Sequence, residues 1–248
     1  MAAKKEFTCT ATKSASTEFL RNVPLFANLR DSDVKLFSDV AQLKTYKKGQ
    51  YLYIEGDAAQ YFYIICNGWL KLLHLTEEGE EIILNMLNKN NVTGENSLFE
   101  QGNFACTAQI VEKAQILSIP INVLKYQMSL NTQLAINMLT SMIQYQRKHE
   151  MRIEHFMLYS APQRVGCFIL GLCPENEQKD GVKIKLPYDK TLIATTLGMK
   201  GPTFSRALNM LRDETGTTIT GSHVKITSIN SLLRFVDGCY IPHYNLCK

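Results

Sequence analysis

The chain has 248 residues, 45% of them hydrophobic and 20% charged, which excludes a disordered or fibrous protein and fits an ordinary globular one. No apolar run approaches the roughly 18 residues of a membrane-spanning helix, and the opening MAAKKEFTCTATKSAS lacks an apolar signal core, so a cytoplasmic protein without a membrane partner is expected. The net charge of +4 is uneven: from Tyr159 onward 11 Lys and Arg stand against 7 Asp and Glu, while the charges before Tyr159 cancel. An excess gathered in one segment suits a polyanionic partner such as nucleic acid.

Residues 16–45 read as helical, with Ser32 as an N-cap and Val34, Phe37, Val40 and Leu43 at helical spacing. From Tyr46 to about Pro120 the pattern changes to short runs rich in Val, Ile, Leu and Tyr. Turn signals separate them: Lys48-Gly49, Glu55-Gly56-Asp57, Asn67-Gly68, Glu78-Gly79, Lys89-Asn90-Asn91 and Gln101-Gly102. Strands at this spacing predict a β-sandwich, jelly roll or barrel.

After Pro120 the pattern is helical again, and from Asn131 to Leu158 there is neither Gly nor Pro. Ala135, Leu139, Met142, Gln146, His149, Ile153 and Phe156 alternate at spacings of four and three, a heptad-like seam broken by two polar residues. Such a helix packs either on its own β-domain alone or also on a second copy; the long one-sided seam favours a homodimer.

Ser160 followed by Ala161-Pro162 predicts a new N-cap, with Pro in the first helical turn. Beyond it come a helix over 162–173, a strand at VKIKLP, two helices in TLIATTLGMKGPTFSRALNML, and a strand pair in TTITGSHVKITS turned at Gly221. That order is a winged helix-turn-helix. The fold class is therefore α+β: an N-terminal double-stranded β-helix (jelly-roll) domain over residues 1–125, a long dimerisation helix over 126–159, and a C-terminal winged helix-turn-helix over 160–248. The seven cysteines show no CxxC pair, which argues against a disulfide framework and a zinc finger. The tail VDGCYIPHYNLCK carries no readable signal.

The order of parts and five motifs resemble the bacterial cyclic-AMP receptor protein/fumarate-nitrate reduction regulator (CRP/FNR) family over residues 20–235. The motifs are KKGQYLYIEGD, YFYIICNGWLKL, TGENSLFEQG, LIATTLGM and TFSRALNML. The resemblance implies a cyclic-nucleotide-binding-like β-roll, a homodimer on palindromic double-stranded DNA, and RNA polymerase as a partner. It places Lys200, Thr203, Ser205 and Arg206 at the DNA. Short polar and basic side chains there hold phosphates, and Arg206, one turn into the helix, can reach guanine O6 and N7 together. Its bland alternative is an arginine that meets phosphate only.

Two departures matter. Where family members carry an acidic base-reading residue this chain has Pro202, preceded by Gly201, so the operator is expected to differ from the usual half-site. The effector pocket maps to Gly94, Glu95, Asn96, Ala105 and Cys106, and the family's phosphate-binding Arg-Ser pair falls on Ala105 and Cys106. Without the arginine a buried phosphate has no charged partner, so cyclic AMP is not the expected effector. Cys9 alone near the N-terminus excludes an iron-sulfur cluster. The wording resembles the nitrogen-oxide-responsive haem subgroup most, which leaves a gas effector on haem open, with His74, His149 and His155 as axial candidates, beside thiol sensing at Cys66 and Cys106.

No catalytic residues are assigned. A cupin enzyme needs several converging histidines, and the β-region holds only His74. The other rivals are an interaction protein that has lost specific DNA binding and a regulator that needs no effector.

Overall fold

A computed structural model describes residues 13–99, 101–173 and 180–236. The chain divides into two compact units, 1–144 and 145–248. The final tail, beyond Val236, lies outside the described residues.

The first unit opens with helices α1 (Lys13–Leu20) and α2 (Asp31–Val40). Strands β1 (Gln42–Tyr46), β2 (Tyr51–Tyr53), β3 (Tyr61–Asn67), β4 (Leu70–Leu75), β5 (Glu81–Leu87), β6 (Val92–Thr93), β7 (Thr107–Ile110) and β8 (Ala114–Pro120) follow, then helix α3 (Ile121–Leu130). They form two four-stranded antiparallel sheets, ordered β1-β8-β3-β6 and β2-β7-β4-β5. The predicted turns fall between the strands they were expected to separate.

Two expectations from the early helical stretch are corrected. Helix α2 is capped by Arg30, and Ser32 lies inside it. The Arg30 guanidinium reaches forward to both oxygens of Asp33 at 3.0 and 3.1 Å, and Asp31 and Asp33 in the first turn complement the helix dipole. Residues 42–46 are strand, because pairing with β8 from Gln42↔Ser118 to Tyr46↔Ala114 outweighs the helical spacing of Leu43.

The core of this unit joins a sheet to the helices. Phe62, Ile64, Leu117 and Ile119 pack with Leu20, Val23, Phe26, Val34, Phe37 and Leu124. Helix α4 (Thr132–Leu158) adds Leu134 and Met138 to that core. Between them Asn137 is buried, and its side-chain amide donates to the carbonyls of Leu25 at 3.0 Å and Ala27 at 2.8 Å. Gln133 donates to the same amide's oxygen at 2.9 Å. Replacing Asn137 by Ala strands buried carbonyls. The expected cost is about 2–3 kcal/mol, a Tm lower by about 5–10 °C in thermal melts. A change under about 2 °C would mean that the carbonyls find other partners.

The second unit contains the rest of α4, then α5 (Ala161–Gly171), β9 (Val182–Lys185), α6 (Lys190–Thr196), α7 (Gly201–Thr215), β10 (Thr218–Thr220), β11 (His223–Ile226) and α8 (Ile229–Phe235). Ser160 caps α5 through a reciprocal box with Gln163, and Pro162 sits in its first turn. The strands form one antiparallel sheet, β10-β11-β9. Its core gathers Val165, Ile169, Leu170, Ile193, Phe204, Ala207, Leu211, Val224, Ile226 and Leu232. No helix is long and apolar enough to cross a membrane among the described residues.

Candidate DNA-binding and effector sites

Helices α6 and α7 are joined by a tight turn through Leu197, Gly198 and Met199. Asp189 caps α6, accepting from the Leu192 amide at 2.9 Å. Gly198 has φ +66°, and a Cβ there would meet the Phe156 ring at 2.6 Å. Glycine is required both for the left-handed backbone and for the space taken by that ring. The Met199 amide donates to the Ala194 carbonyl at 2.9 Å and closes the turn.

Helix α7 buries Phe204, Ala207, Leu211 and Thr215 and turns its other side outward. Lys200, Ser205 and Arg206 are exposed near its start, and Thr203 is half-buried. Arg206 makes no ion pair among the described residues, so its guanidinium stays available to a ligand. Pro202 occupies the first turn, where a missing amide donor costs nothing.

A cleft of about 510 Å³ runs beside this helix. Lys190 and Thr191 of α6, Gly201, Ser205, Asn209 and Arg212 of α7, and Thr218 and Thr220 of β10 line it. Of these only Ser205 was expected from the sequence to touch DNA, and Gly201 was expected to supply no reading side chain. Gly201, Ser205, Leu208 and Arg212 do share one helical stripe, a signal that could have been read. The apposition of Lys190 and the β10 threonines could not, since it needs the folded unit.

In the first unit, Gly94 (φ +84°) leads into a short 3₁₀ turn, Glu95–Leu98. A Cβ on Gly94 would meet Phe104 at 3.0 Å. Glu95 is buried, and its Oε2 makes no hydrogen bond. Burial pushes its pKa up, against a smaller opposite pull from its own amide. The Tyr53 hydroxyl hydrogen-bonds the Thr93 hydroxyl at 2.5 Å, and its ring stacks on Phe104 with centroids 3.9 Å apart. Burial raises the Tyr53 pKa well above its ordinary value, with Cys106 and Glu95 adding to the effect through their charge. Glu95 and Cys106 therefore share the Tyr53 neighbourhood. Asn96 and Ala105 are instead exposed. Tyr53, Thr93 and Phe104 were missed by sequence reasoning, because strand pairing brings them to Glu95.

Two family models match the chain. The cyclic nucleotide-binding domain matches residues 43–130, and the Crp-like helix-turn-helix domain matches residues 163–235. The chain belongs to the CRP/FNR family. It is a DNA-binding transcription regulator with an effector-binding domain.

Among CRP/FNR relatives, the anaerobic regulatory protein of Bacillus subtilis is 25% identical over 234 residues, 93% of this chain and 98% of its own. The global nitrogen regulator of Synechococcus elongatus is 28% identical over 176 residues, 69% of this chain and 79% of its own. The fold is shared with FixK2 from Bradyrhizobium japonicum, at TM-score 0.68 and 21% identity, covering 81% of this chain and 99% of that one.

The remaining candidates of this CRP/FNR chain are dispersed. His74 lies on β4 and its Nδ1 is 2.8 Å from the Glu55 carboxylate at the surface. His149 is exposed on α4, and His155 lies edge-on to the Tyr159 ring. His74 belongs to the first unit and the other two to the second. Among the described residues no three His, Cys, Asp or Glu come together as a metal site. His149 and His155 share helix α4, and His74 stands alone on β4. Cys66 and Cys173 are buried thiols and Cys106 a partly exposed one. Cys167 is buried as well.

Along α4, Leu139, Met142, Gln146, His149 and Ile153 are all exposed. Leu134 and Met138, on another face of the same helix, are buried.

Proposed function

We propose that the protein acts as a homodimer on a palindromic operator, switched by a small effector other than cyclic AMP in the β-roll, and that it recruits or blocks RNA polymerase in the cytoplasm. The observation that carries the DNA reading is the outward side of α7, with Arg206 exposed and a cleft holding Lys190 and Arg212 beside it. In this reading Arg206 and Ser205 meet base edges, while Lys200, Thr203, Lys190 and the β10 threonines meet phosphates. The seam Leu139, Met142, Gln146, His149 and Ile153 pairs the two copies, the polar pair fixing register. The effector acts by binding one arrangement of the dimer better than another.

Selection from a pool of randomised duplexes tests this. The expected product is a palindrome bound about 10³-fold or more tightly over random DNA, with affinity falling steeply with salt. Binding without sequence preference at any salt concentration would sink the operator reading.

A second reading has one observation in its favour. Gly201 and Pro202, at the start of α7, offer no hydrogen-bonding side chain, as in an interaction protein that has lost specific DNA binding. Absence of DNA binding in every ligand state would support it.

A further inference from the structure

One exposed polar side chain at the middle of the outward face of α7 has no role in the fold. Phe204, Ala207, Leu211 and Thr215 fix the buried face. Asn209 stands two residues from both Ala207 and Leu211, about half a turn round the helix from each, so it points the opposite way. It is exposed, and its amide makes no hydrogen bond among the described residues. Ser205 and Arg206 precede it by four and three residues, which sets all three on one side of α7. Asp213, one turn further on, is already engaged: its carboxylate accepts from the Arg212 Nε at 3.0 Å, and the guanidinium offsets its charge. The first turn of α7 is bare. Nothing stands within 4 Å of where a Cβ on Gly201 would lie, and the compact Pro202 ring follows it. A turn without extended side chains lets the backbone approach a surface closely. Seated that deep in a major groove, the helix brings its second and third turns to the base edges, where longer first-turn side chains would hold them off.

We propose that Asn209 is a further base-reading residue, which selects an adenine close to the guanine assigned to Arg206. This rests on the reading of α7 as the helix that enters the groove. The rise from Arg206 to Asn209 is about 4.5 Å, between one and two base-pair steps of roughly 3.4 Å. An asparagine amide presents a donor and an acceptor side by side, which matches the N7 acceptor and N6 donor of adenine. Guanine offers acceptors only, so the amide oxygen has no partner there. Cytosine offers only a donor, so the amide nitrogen has none. A phosphate takes the nitrogen and leaves the oxygen facing an anion.

The test recovers an operator from randomised duplexes with the full chain. Binding is then measured to that operator with each base pair changed in turn, for the parent, Arg206→Ala and three Asn209 variants. The parent is expected to prefer adenine at one position of each half-site, one or two base pairs from the position that Arg206→Ala relaxes. Asn209→Ala should lower that preference by about 5- to 100-fold and leave the other positions unchanged. Asn209→Arg should move the preference there to guanine, since a guanidinium bonds O6 and N7 together. Asn209→Gln, which keeps the amide, should keep adenine. Because Asn209 is exposed, all three should melt within about 2 °C of the parent. An equal loss on every duplex for Asn209→Ala would assign the residue to the DNA backbone and overturn the proposal. An unchanged base preference would overturn it too, while the parent's own selectivity kept the operator reading intact. A parent that binds all duplexes alike would sink the operator reading, and this proposal with it.

Discussion

Met142→Asp is expected to turn the protein into a monomer and to lower operator affinity by about 10²–10⁴-fold. Met142 lies on an α4 face that also exposes Leu139 at 59% and Ile153 at 58% of their surface, while Leu134 and Met138 are almost wholly buried. A helix that keeps large apolar groups on a second face, after burying one, needs another cover for it. A carboxylate placed in such a seam meets apolar groups and its own symmetry-related copy, and neither can compensate the lost hydration. The DNA effect follows from geometry. A dimer that holds one half-site meets the second at a high effective concentration, and a monomer does not. Light scattering after size exclusion reads the first effect, and operator titration the second. Gln144→Asp, on an exposed part of the same helix outside the seam, serves as the control and should remain dimeric. A dimeric Met142→Asp protein would show that the seam is misassigned.

The second large effect concerns sequence recognition. Arg206→Ala is expected to cost about 1–3 kcal/mol per half-site and to relax the preference at one base pair while leaving the others intact. Lys190→Ala, in the cleft beside α7, should behave differently. It should weaken all sequences alike, by a few-fold, and lower the salt slope by about one. Competition with operators changed one base pair at a time separates the two patterns. A uniform loss for Arg206→Ala would reassign it to the phosphates. The contrast is sharp here because Gly201 and Pro202 contribute no side-chain hydrogen bonds, which leaves Arg206 as the strongest candidate for reading a base.

What could be read from the sequence follows the range of the forces involved. The turns at Glu55-Gly56-Asp57 and Asn67-Gly68, the Ser160 cap with Pro162 behind it, and the Gly198 turn are set by a few neighbouring residues. Their dihedral and capping preferences act locally, so the strings announce them. Where two local preferences compete, tertiary pairing decides. Residues 42–46 carry part of a helical pattern but lie against Ala114 to Ser118 of β8, far along the chain, and become strand. The start of α2 is decided in the same way, by an Arg30–Asp33 pair joined in turn by Asn131 across the fold.

The candidate sites divide along the same line. Arg206 could be named from its place in the motif TFSRALNML, which the family resemblance sets at the DNA. Lys190, Arg212 and the β10 threonines share a cleft only once the sheet β10-β11-β9 has closed against α7. The sequence by itself determined the order of elements, the turns and the recognition helix, because those depend on contacts a few residues long. Only the tertiary structure decided that Glu95 is buried with an unserved oxygen near Tyr53, a residue 42 positions earlier in the chain, because burial depends on which distant strands pack together.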